Sequence, residues 1–280
     1  RLNALSYWTY LTGAVMLIVD VVIVNVALRP IREDLDLPDG RLQLVAVAYT
    51  LTFGSLLVVL GRLGDLFGRR RLLIAGLAIF VVASLLTGLA QSEWQLLASR
   101  SAQGIGAAFV SPAALALLTT SFSDTTSRNK ALGYWGAVGS AGAFSGQLLG
   151  GLLTDVFGWR SIFLINVPIG VVTIAAAIRF VHDSRDEAAR RISPTSAVCL
   201  TIGLITAAYG LTRSAEAPGD GLGLAAAPIA CVVLAGFWIS ERTSARPLID
   251  ITVVKTGAVL PANLLLAVNA GMLGGSLFVT

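Results

Sequence analysis

The charged residues of this chain fall in short bursts, and the uncharged runs between them are about as long as a bilayer-spanning helix. Such a helix needs about 20 mainly apolar residues and must satisfy its backbone polar groups internally. Only 13% of the 280 residues are charged and 55% are hydrophobic, whereas soluble domains carry about 25% charged residues. The pattern therefore predicts an all-α polytopic membrane protein and excludes a soluble enzyme.

The bursts of charge divide the chain into nine predicted spans. The first eight lie at about Tyr7 to Leu28, Arg41 to Arg62, Arg71 to Glu93, Glu93 to Asp124, Lys130 to Asp155, Arg160 to Arg179, Arg191 to Arg213 and Asp220 to Glu241. A ninth begins after Lys255, and we expect it to be cut short at Thr280. The chain starts at Arg1 without a methionine, so we expect a fragment of a longer protein.

The basic residues of the predicted loops indicate the orientation. Most of them fall on the side of the N-terminus, and the opposite side holds only Arg29, Arg32, Arg41, Arg160 and Arg213. Because cytoplasmic loops carry the excess of Lys and Arg, the pattern predicts a multi-pass protein of the cytoplasmic membrane with its N-terminus in the cytoplasm.

Two charged residues lie inside predicted spans. Asp20 is the only acid in the interior of a span, and Arg100 is an isolated cation in the fourth span. A charge at mid-span costs about 2.5 to 3.5 kcal/mol on insertion scales, so each should face the bundle interior and find a partner. The alternative for Arg100 is that it reaches the outer surface, because Glu93 lies only two helical turns away. Burial favours a protonated Asp20 and a nearby Arg100 favours the ionised form, so a conformational change could switch its proton occupancy.

The loop GRLGDLFGRRR, from Gly61 to Arg71, combines glycines with charges. Gly61 and Gly68 let helix ends approach closely, and Asp65 can meet a facing arginine or the positive end of the next helix. The arginines alone could reflect topology, but the pattern resembles the loop between the second and third helices of the major facilitator superfamily. The matching residues are Gly61, Leu63, Gly64, Asp65, Gly68, Arg69 and Arg70, while Leu66 replaces an arginine. The resemblance implies conformational gating at the cytoplasmic side by Gly61, Asp65, Gly68, Arg69 and Arg70.

Two further stretches resemble motifs of the same superfamily. The fourth-helix motif is matched by Leu96, Arg100, Gln103, Gly104, Gly106, Ala107 and Ala108. In the fifth span Gly142, Gly146 and Gly150 share one helix face and permit close packing. Together with Gly151 they resemble the fifth-helix antiporter motif, although Gln147 replaces its proline and so removes the expected kink.

The first span contains the residues Asp20, Ile23, Val24, Asn25, Val26, Ala27 and Leu28. The sixth span begins with the stretch WRSIFLINVPIG, Trp159 to Gly170. The two stretches resemble the first-helix motif and the sixth-helix entry of a narrower group, the fourteen-helix drug:proton antiporter family, although Val22 replaces a threonine of the first motif. The resemblance implies a six-helix N-terminal bundle over residues 1–181, a cytoplasmic loop and two linker spans over 182–241, and a loop with the first helix of an incomplete second bundle over 242–280.

By this resemblance the chain belongs to a multidrug efflux transporter that exports lipophilic, in some cases cationic, compounds in exchange for protons. Asp20 and Arg100 would couple the proton, and the complete protein would act as a monomer in the lipid bilayer. Candidate residues of the substrate cavity are Asn25, Tyr49, Phe53, Gln103, Tyr134, Trp135 and Gln147. Export of a lipid, a siderophore or a secreted metabolite by the same fold stays open, as does a half-length product that acts only as an assembly partner.

Other functions lack the residues that they require. Cys199 and Cys231 lie in apolar runs without metal-ligand spacing, and His182 is the only histidine, so we expect no metal, disulfide or cofactor. The net charge of +4 comes without the basic and aromatic stretch of a nucleic-acid site. Intramembrane enzymes need paired acids, a Ser/His arrangement or metal ligands, so we expect no enzymatic activity.

Overall fold

The computed structural model consists of helices and short connections over the residues that it describes, which are 4–122, 124–184, 193–216, 221–244, 247–248, 261 and 265. Its elements are α1 (Ala4–Leu35), α2 (Asp39–Phe67), α3 (Arg69–Gly88), α4 (Glu93–Thr120), α5 (Thr125–Phe157), α6 (Ser161–Leu164), α7 (Asn166–Phe180), α8 (Pro194–Glu216) and α9 (Gly221–Thr243). These ranges contain no strand, and the predicted all-α class is confirmed.

Seven of the described helical stretches are long and apolar enough to cross a membrane. They are α1, α2, α3, α4, α8, α9 and the pair α6 and α7 taken together. The fifth predicted span forms α5, which has 33 residues but does not belong to the seven, since glycine, serine and charged residues lower its hydropathy. The ninth predicted span, after Lys255, lies outside the described residues except for isolated helical positions at 261 and 265.

Local sequence explains where several helices begin and end. Gly68 has a φ of 106° and separates α2 from α3, and Gly158 has a φ of 79° and ends α5; glycine adopts such angles without a steric penalty. Asp124 caps α5 by accepting a hydrogen bond of 2.7 Å from the Ser127 backbone N–H. Hydrogen bonds from Ser127 stabilise the carboxylate and lower the pKa of Asp124.

The sixth span is divided into α6 and α7 by a turn at Ile165. Pro168 lies in the first turn of α7 and has no N–H to donate to the carbonyl of Leu164, so one helical hydrogen bond across the turn cannot form. Asn166 therefore begins α7 deep inside the bundle.

Two clusters of buried apolar residues form the core, and along α1 and α4 there is a gap between them without fully buried apolar side chains. Along α1 the first cluster ends at Leu17 and the second begins at Ile23. Along α4 the second cluster includes Leu96, and the first begins at Ala107. The gap is therefore the level at which Asp20 of α1 meets α4.

Two glycines of α4 allow its neighbours to approach on different sides. A Cβ at Gly104 would collide with the backbone of α2 at the Tyr49 carbonyl. A Cβ at Gly106 would lie 2.7 Å from the backbone nitrogen of Phe80 in α3. Since side chains at these positions would push the helices apart, the glycines of the fourth-helix motif fix α2 and α3 against α4.

The glycine face of α5 packs against α1. Gly142 and Gly146 lie beside Ile18 and Val19, and Gly150 lies beside Ile23. Gly151 is near Val26 of the same helix. These contacts are all within the bundle formed by α1 to α7.

The helices α8 and α9 form a hairpin that packs against the bundle along α2. Val59 of α2 joins Leu200, Phe237 and Leu248 in a separate apolar cluster. The assignment of this hairpin as a linker between two bundles stays a prediction, as do the predicted domain boundaries.

Candidate functional site

The two charges predicted inside the spans form a buried ion pair. Arg100 Nη1 lies 2.6 Å from Asp20 Oδ2, and the two residues are 1% and 0% exposed. Arg100 therefore does not reach the outer surface. The carboxylate and the guanidinium neutralise each other at the junction of the two apolar clusters.

The second carboxylate oxygen of Asp20 accepts hydrogen bonds from two amides. Asn166 Nδ2 lies 2.9 Å from Oδ1, and Gln103 Nε2 lies 3.2 Å from the same atom. Both amide side chains are buried. With Arg100 on the other oxygen, helices α1, α4 and α7 meet at one carboxylate, and charge-assisted hydrogen bonds of this kind are stronger than neutral ones.

Arg100 also has uncharged partners. It donates from Nη1 to Gln103 Oε1 at 2.8 Å and from Nε to the carbonyl of Val45 at 3.3 Å. Its Cζ lies 4.6 Å from the ring centroid of Tyr49 and 5.6 Å from that of Phe163. Aromatic faces attract a cation at such distances, so the guanidinium is stabilised by more than Asp20.

Gln103 links the ion pair to α3. Its amide donates to Asp20 and to Ser84 Oγ at 2.8 Å, and its carbonyl accepts from Arg100. Thr87 Oγ1 lies 3.2 Å from the same carbonyl oxygen, but this hydroxyl has a single proton and also lies within hydrogen-bond distance, 2.8 Å, of the Ala83 carbonyl oxygen. Both amide donors of Gln103 are thus used. Gln103, Asn166, Ser84 and Thr87, together with Asp20 and Arg100, are called the Asp20 cluster below.

The surroundings of Asp20 give Arg100 neutral partners besides the carboxylate. A buried ion pair that loses one charge is strongly destabilised when the other is left without compensation. If Asp20 were protonated, Arg100 would keep the Gln103 oxygen, the Val45 carbonyl and the Tyr49 ring.

A cavity of about 150 Å³ lies beside the Asp20 cluster. Its wall is uncharged and comprises Ala14, Leu17, Ile18, Val21, Tyr49, Phe53, Ser111 and Trp135. The rings of Tyr49 and Phe53 are stacked, with centroids 6.0 Å apart and planes at 21°. Three of the predicted cavity residues, Tyr49, Phe53 and Trp135, thus share one cavity.

The structure does not bring the remaining predicted cavity residues to this wall. Tyr134 is 62% exposed on α5, and Gln147 is exposed on the same helix. Asn25 is half-buried on α1, and Gln103 belongs to the Asp20 cluster. A larger cavity of about 640 Å³ lies between α2, α4 and α8, with Arg41, Glu93 and Arg213 in its wall.

The glycine and arginine loop joins the α2–α3 connection to the end of α7. Asp65 and Arg69 form an ion pair of 2.7 Å, and the backbone N–H of Arg69 donates to the carbonyl of Ser184 at 2.9 Å. Arg70 donates to the carbonyls of Ala177 and Ile178 in the last turn of α7. All of these contacts lie within the bundle of α1 to α7.

A side chain would be crowded at two points of this loop. A Cβ at Gly68 would lie 2.8 Å from Asp183 Oδ1, besides the strain of its positive φ. Gly61 faces Pro112 of α4, where a Cβ would lie 3.3 Å from the proline ring. The two glycines therefore permit the close approach that the sequence predicted.

The sequence interpretation missed Asn166, Ser84, Thr87 and Phe163. Asn166 offered a signal, because it is a strongly polar residue in an apolar run two positions before a proline. Ser84 and Thr87 offered little signal, since hydroxyl residues are common in spans and can bond to their own helix. Among the described residues, no group of three or more His, Cys, Asp and Glu side chains could hold a metal ion.

The family model of the Major Facilitator Superfamily matches residues 10–280. The chain belongs to this superfamily. It is thus a member of a transporter family and not of a family of enzymes, and together with the seven membrane-length stretches this makes it a multi-pass membrane protein.

The curated relatives include antibiotic export, antibiotic resistance and multidrug resistance proteins, in agreement with the family resemblance. The chain is 39% identical to the cephamycin export protein CmcT of Amycolatopsis lactamdurans, over 85% of this chain and 50% of that protein. It is 36% identical to the puromycin resistance protein pur8 of Streptomyces alboniger, over 87% of this chain and 48% of that protein. It is 33% identical to the multidrug resistance protein Stp of Mycobacterium tuberculosis, over 87% and 45%. The chain spans about half the length of these relatives.

Solved transporter structures share the fold. A tetrameric PepTSo2 structure covers 95% of this chain and 57% of its own, with a TM-score of 0.61 and 16% identity. An inward-facing, occupied bacterial homologue of the human lysosomal transporter Spinster covers 87% and 62%, with a TM-score of 0.54 and 20% identity.

Proposed function

We propose that the protein to which this chain belongs exports drugs or other toxic lipophilic compounds across the cytoplasmic membrane in exchange for protons. The observation that carries the proposal is the buried Asp20–Arg100 pair, whose carboxylate also accepts hydrogen bonds from Gln103 and Asn166. Intramembrane ionisable residues are costly, and they commonly mark proton or substrate pathways. The names of the relatives support drugs as the cargo.

Exchange would proceed by alternating access. Residues 1–181 would form the first bundle, 182–241 the loop and linker spans, and 242–280 the start of the second bundle, with the N-terminus in the cytoplasm. Transporters of this kind bind their substrate near the bilayer midplane between two structural repeats. Asp20 would carry the proton, Arg100 would favour its release, and the loop around Asp65 would gate the cytoplasmic side.

The proposal is tested with the complete protein in proteoliposomes that carry an imposed pH gradient. Asp20→Asn keeps the shape of the side chain but removes its proton exchange. We expect gradient-driven puromycin transport by this variant to fall to the level of empty vesicles. The matched control is Asp155→Asn, because Asp155 is an exposed acid on α5, and it should transport like the wild type. Normal exchange by Asp20→Asn would show that the proton mechanism is wrong.

Export of a secreted metabolite is the second candidate for the cargo. It is favoured by the similarity to a cephamycin export protein. The same vesicles distinguish the two, because a metabolite exporter should transport cephamycin and show no gradient-driven accumulation of unrelated lipophilic drugs.

A further inference from the structure

Among the described residues, Tyr49 alone both lines the 150 Å³ cavity and faces the guanidinium of Arg100. We propose that Tyr49 couples the cavity to the proton site: an apolar ring bound in the cavity moves the Tyr49 side chain and so drives the proton from Asp20. This inference rests on the proposed exchange of substrate for protons. It makes Tyr49 a positioning residue that acts through Arg100.

The backbone of Tyr49 is held by close packing, so a bound compound would move its side chain and not its backbone. A side chain at Gly104 of α4 would collide with the Tyr49 carbonyl, so α2 and α4 are in close contact at this level. The ring extends from this fixed point between Arg100 and the stacked ring of Phe53. Tyr49 is only 1% exposed and is one of the residues that line the cavity, so its ring has little free space when a compound fills the cavity.

The direction of the effect follows from the partners of Arg100. While Asp20 is protonated, the cation depends on its neutral partners, of which the Tyr49 ring is one. Withdrawal of that ring leaves the Gln103 oxygen, the Val45 carbonyl and Phe163. An ionised Asp20 then becomes the more favourable partner, and a proton leaves. In the described part of the chain, the charged residues that act on Tyr49 are Arg100 and Asp20, and the charged partner of Asp20 is Arg100.

The wall of the cavity indicates the chemical class of the ligand. It holds no charged residue, and its polar side-chain groups are the hydroxyls of Tyr49 and Ser111 and the indole N–H of Trp135. An apolar cavity of about 150 Å³ can hold benzene. We therefore expect the cavity to bind one aromatic or alicyclic ring of a larger lipophilic compound, with the rest of the compound outside it.

The test measures puromycin binding and proton release separately, with the complete protein in a weakly buffered detergent solution. Tyr49→Leu should bind puromycin within about tenfold of the wild-type affinity but release less than half as many protons per bound drug. Tyr49→Phe keeps the ring and should release the wild-type number.

Two matched controls separate the two contacts of Tyr49. Phe53→Leu changes the cavity but removes no ring that contacts Arg100 directly, so it should weaken binding and keep the number of protons per bound drug. Phe163→Leu removes a ring near Arg100 that does not line the cavity, so drug-dependent proton release should persist.

Three outcomes would overturn the inference. Full proton release by Tyr49→Leu would exclude the coupling, and a loss in Phe163→Leu as large as in Tyr49→Leu would assign the effect to the arginine environment alone. If the wild-type protein bound puromycin and released no proton, the proposed exchange itself would fail. Thermal unfolding of each variant checks that it is folded.

Discussion

Asn166 Nδ2 lies 2.9 Å from Asp20 Oδ1, on the carboxylate oxygen opposite the one that Arg100 contacts. This hydrogen bond connects the start of α7 to the middle of α1. It places a neutral donor against the buried acid, so that Asp20 is held from two directions.

Replacing Asn166 with leucine should destabilise the protein by about 1 to 3 kcal/mol, because a buried charged acceptor loses a hydrogen bond. The measurement is reversible unfolding in mixed micelles. Asn25→Leu is the control, since Asn25 is half-buried on α1 and has no side-chain hydrogen bond among the described residues. Equal stability of the two variants would mean that the Asn166 contact contributes nothing.

Gly106→Ala should lower stability by about 1 to 3 kcal/mol, the usual cost of forcing extra atoms into a packed interior. The new methyl group would meet the backbone of α3, at Phe80 and at the carbonyl of Gly76. Gly136→Ala on α5 is the matched control, because no atom lies within 4 Å of its Cβ position, and alanine is the better helix former by about 1 kcal/mol. Thermal unfolding should therefore give a melting temperature below that of the wild type for Gly106→Ala and above it for Gly136→Ala. Equal melting temperatures of the two variants would contradict the close packing of α3 and α4.

Arg70→Gln should loosen the last turn of α7, because the carbonyls of Ala177 and Ile178 lose a charged donor. A loss of about 1.4 kcal/mol would speed local hydrogen exchange roughly tenfold. The reporter is the backbone amide of Val181, which bonds to Ala177. Arg71→Gln should leave this exchange unchanged, since Arg71 is 79% exposed and lies 3.6 Å from Asp183.

The gating proposal predicts in addition that Arg70→Gln slows transport. Drug affinity should stay at the wild-type value, because the loop lies far along α2 from Tyr49. If Arg70→Gln loosened the end of α7 but transported at the wild-type rate, Arg70 would have a packing role and no role in gating.

The start of α5 should depend on pH through Asp124. Hydrogen bonds from Ser127 lower the pKa of this carboxyl, so its contribution to stability is present above the ordinary carboxyl value of about 3.9. That contribution is lost as the pH falls through the lowered folded value. The protection factor of the Ser127 amide should fall in that acid range. Asp124→Asn keeps a capping side chain without the titration, so the same fall in this variant would exclude Asp124 as its cause.

The positions of the helices could be predicted because charges are excluded from the hydrocarbon core. The turn at Ile165 could not be placed by the same reasoning, because it interrupts a run without any charge. Pro168 gave a local indication of a break, but a proline in a span is also compatible with a continuous, kinked helix.

The pairing of Asp20 with Arg100 could be anticipated because each charge alone is costly in a membrane and needs a partner. The neutral members of the cluster differ in this respect. Ser84 and Thr87 can satisfy their hydroxyls on their own helix, so sequence does not tell whether they face a neighbour. The glycines of α5 posed the same difficulty, since their spacing defines a face but does not identify α1 as the helix against it.

The glycines at 104 and 106 have a mechanical consequence. Because α4 packs backbone against backbone toward both α2 and α3, a displacement of α4 that brought a neighbouring side chain to the position of Gly104 or Gly106 would produce atomic overlap. Main-chain displacement is therefore a poor way to alter the environment of Asp20. Side-chain torsion angles can change locally. Any larger movement must displace α2, α3 and α4 together as one rigid body, along with the side chains on them that contact Asp20.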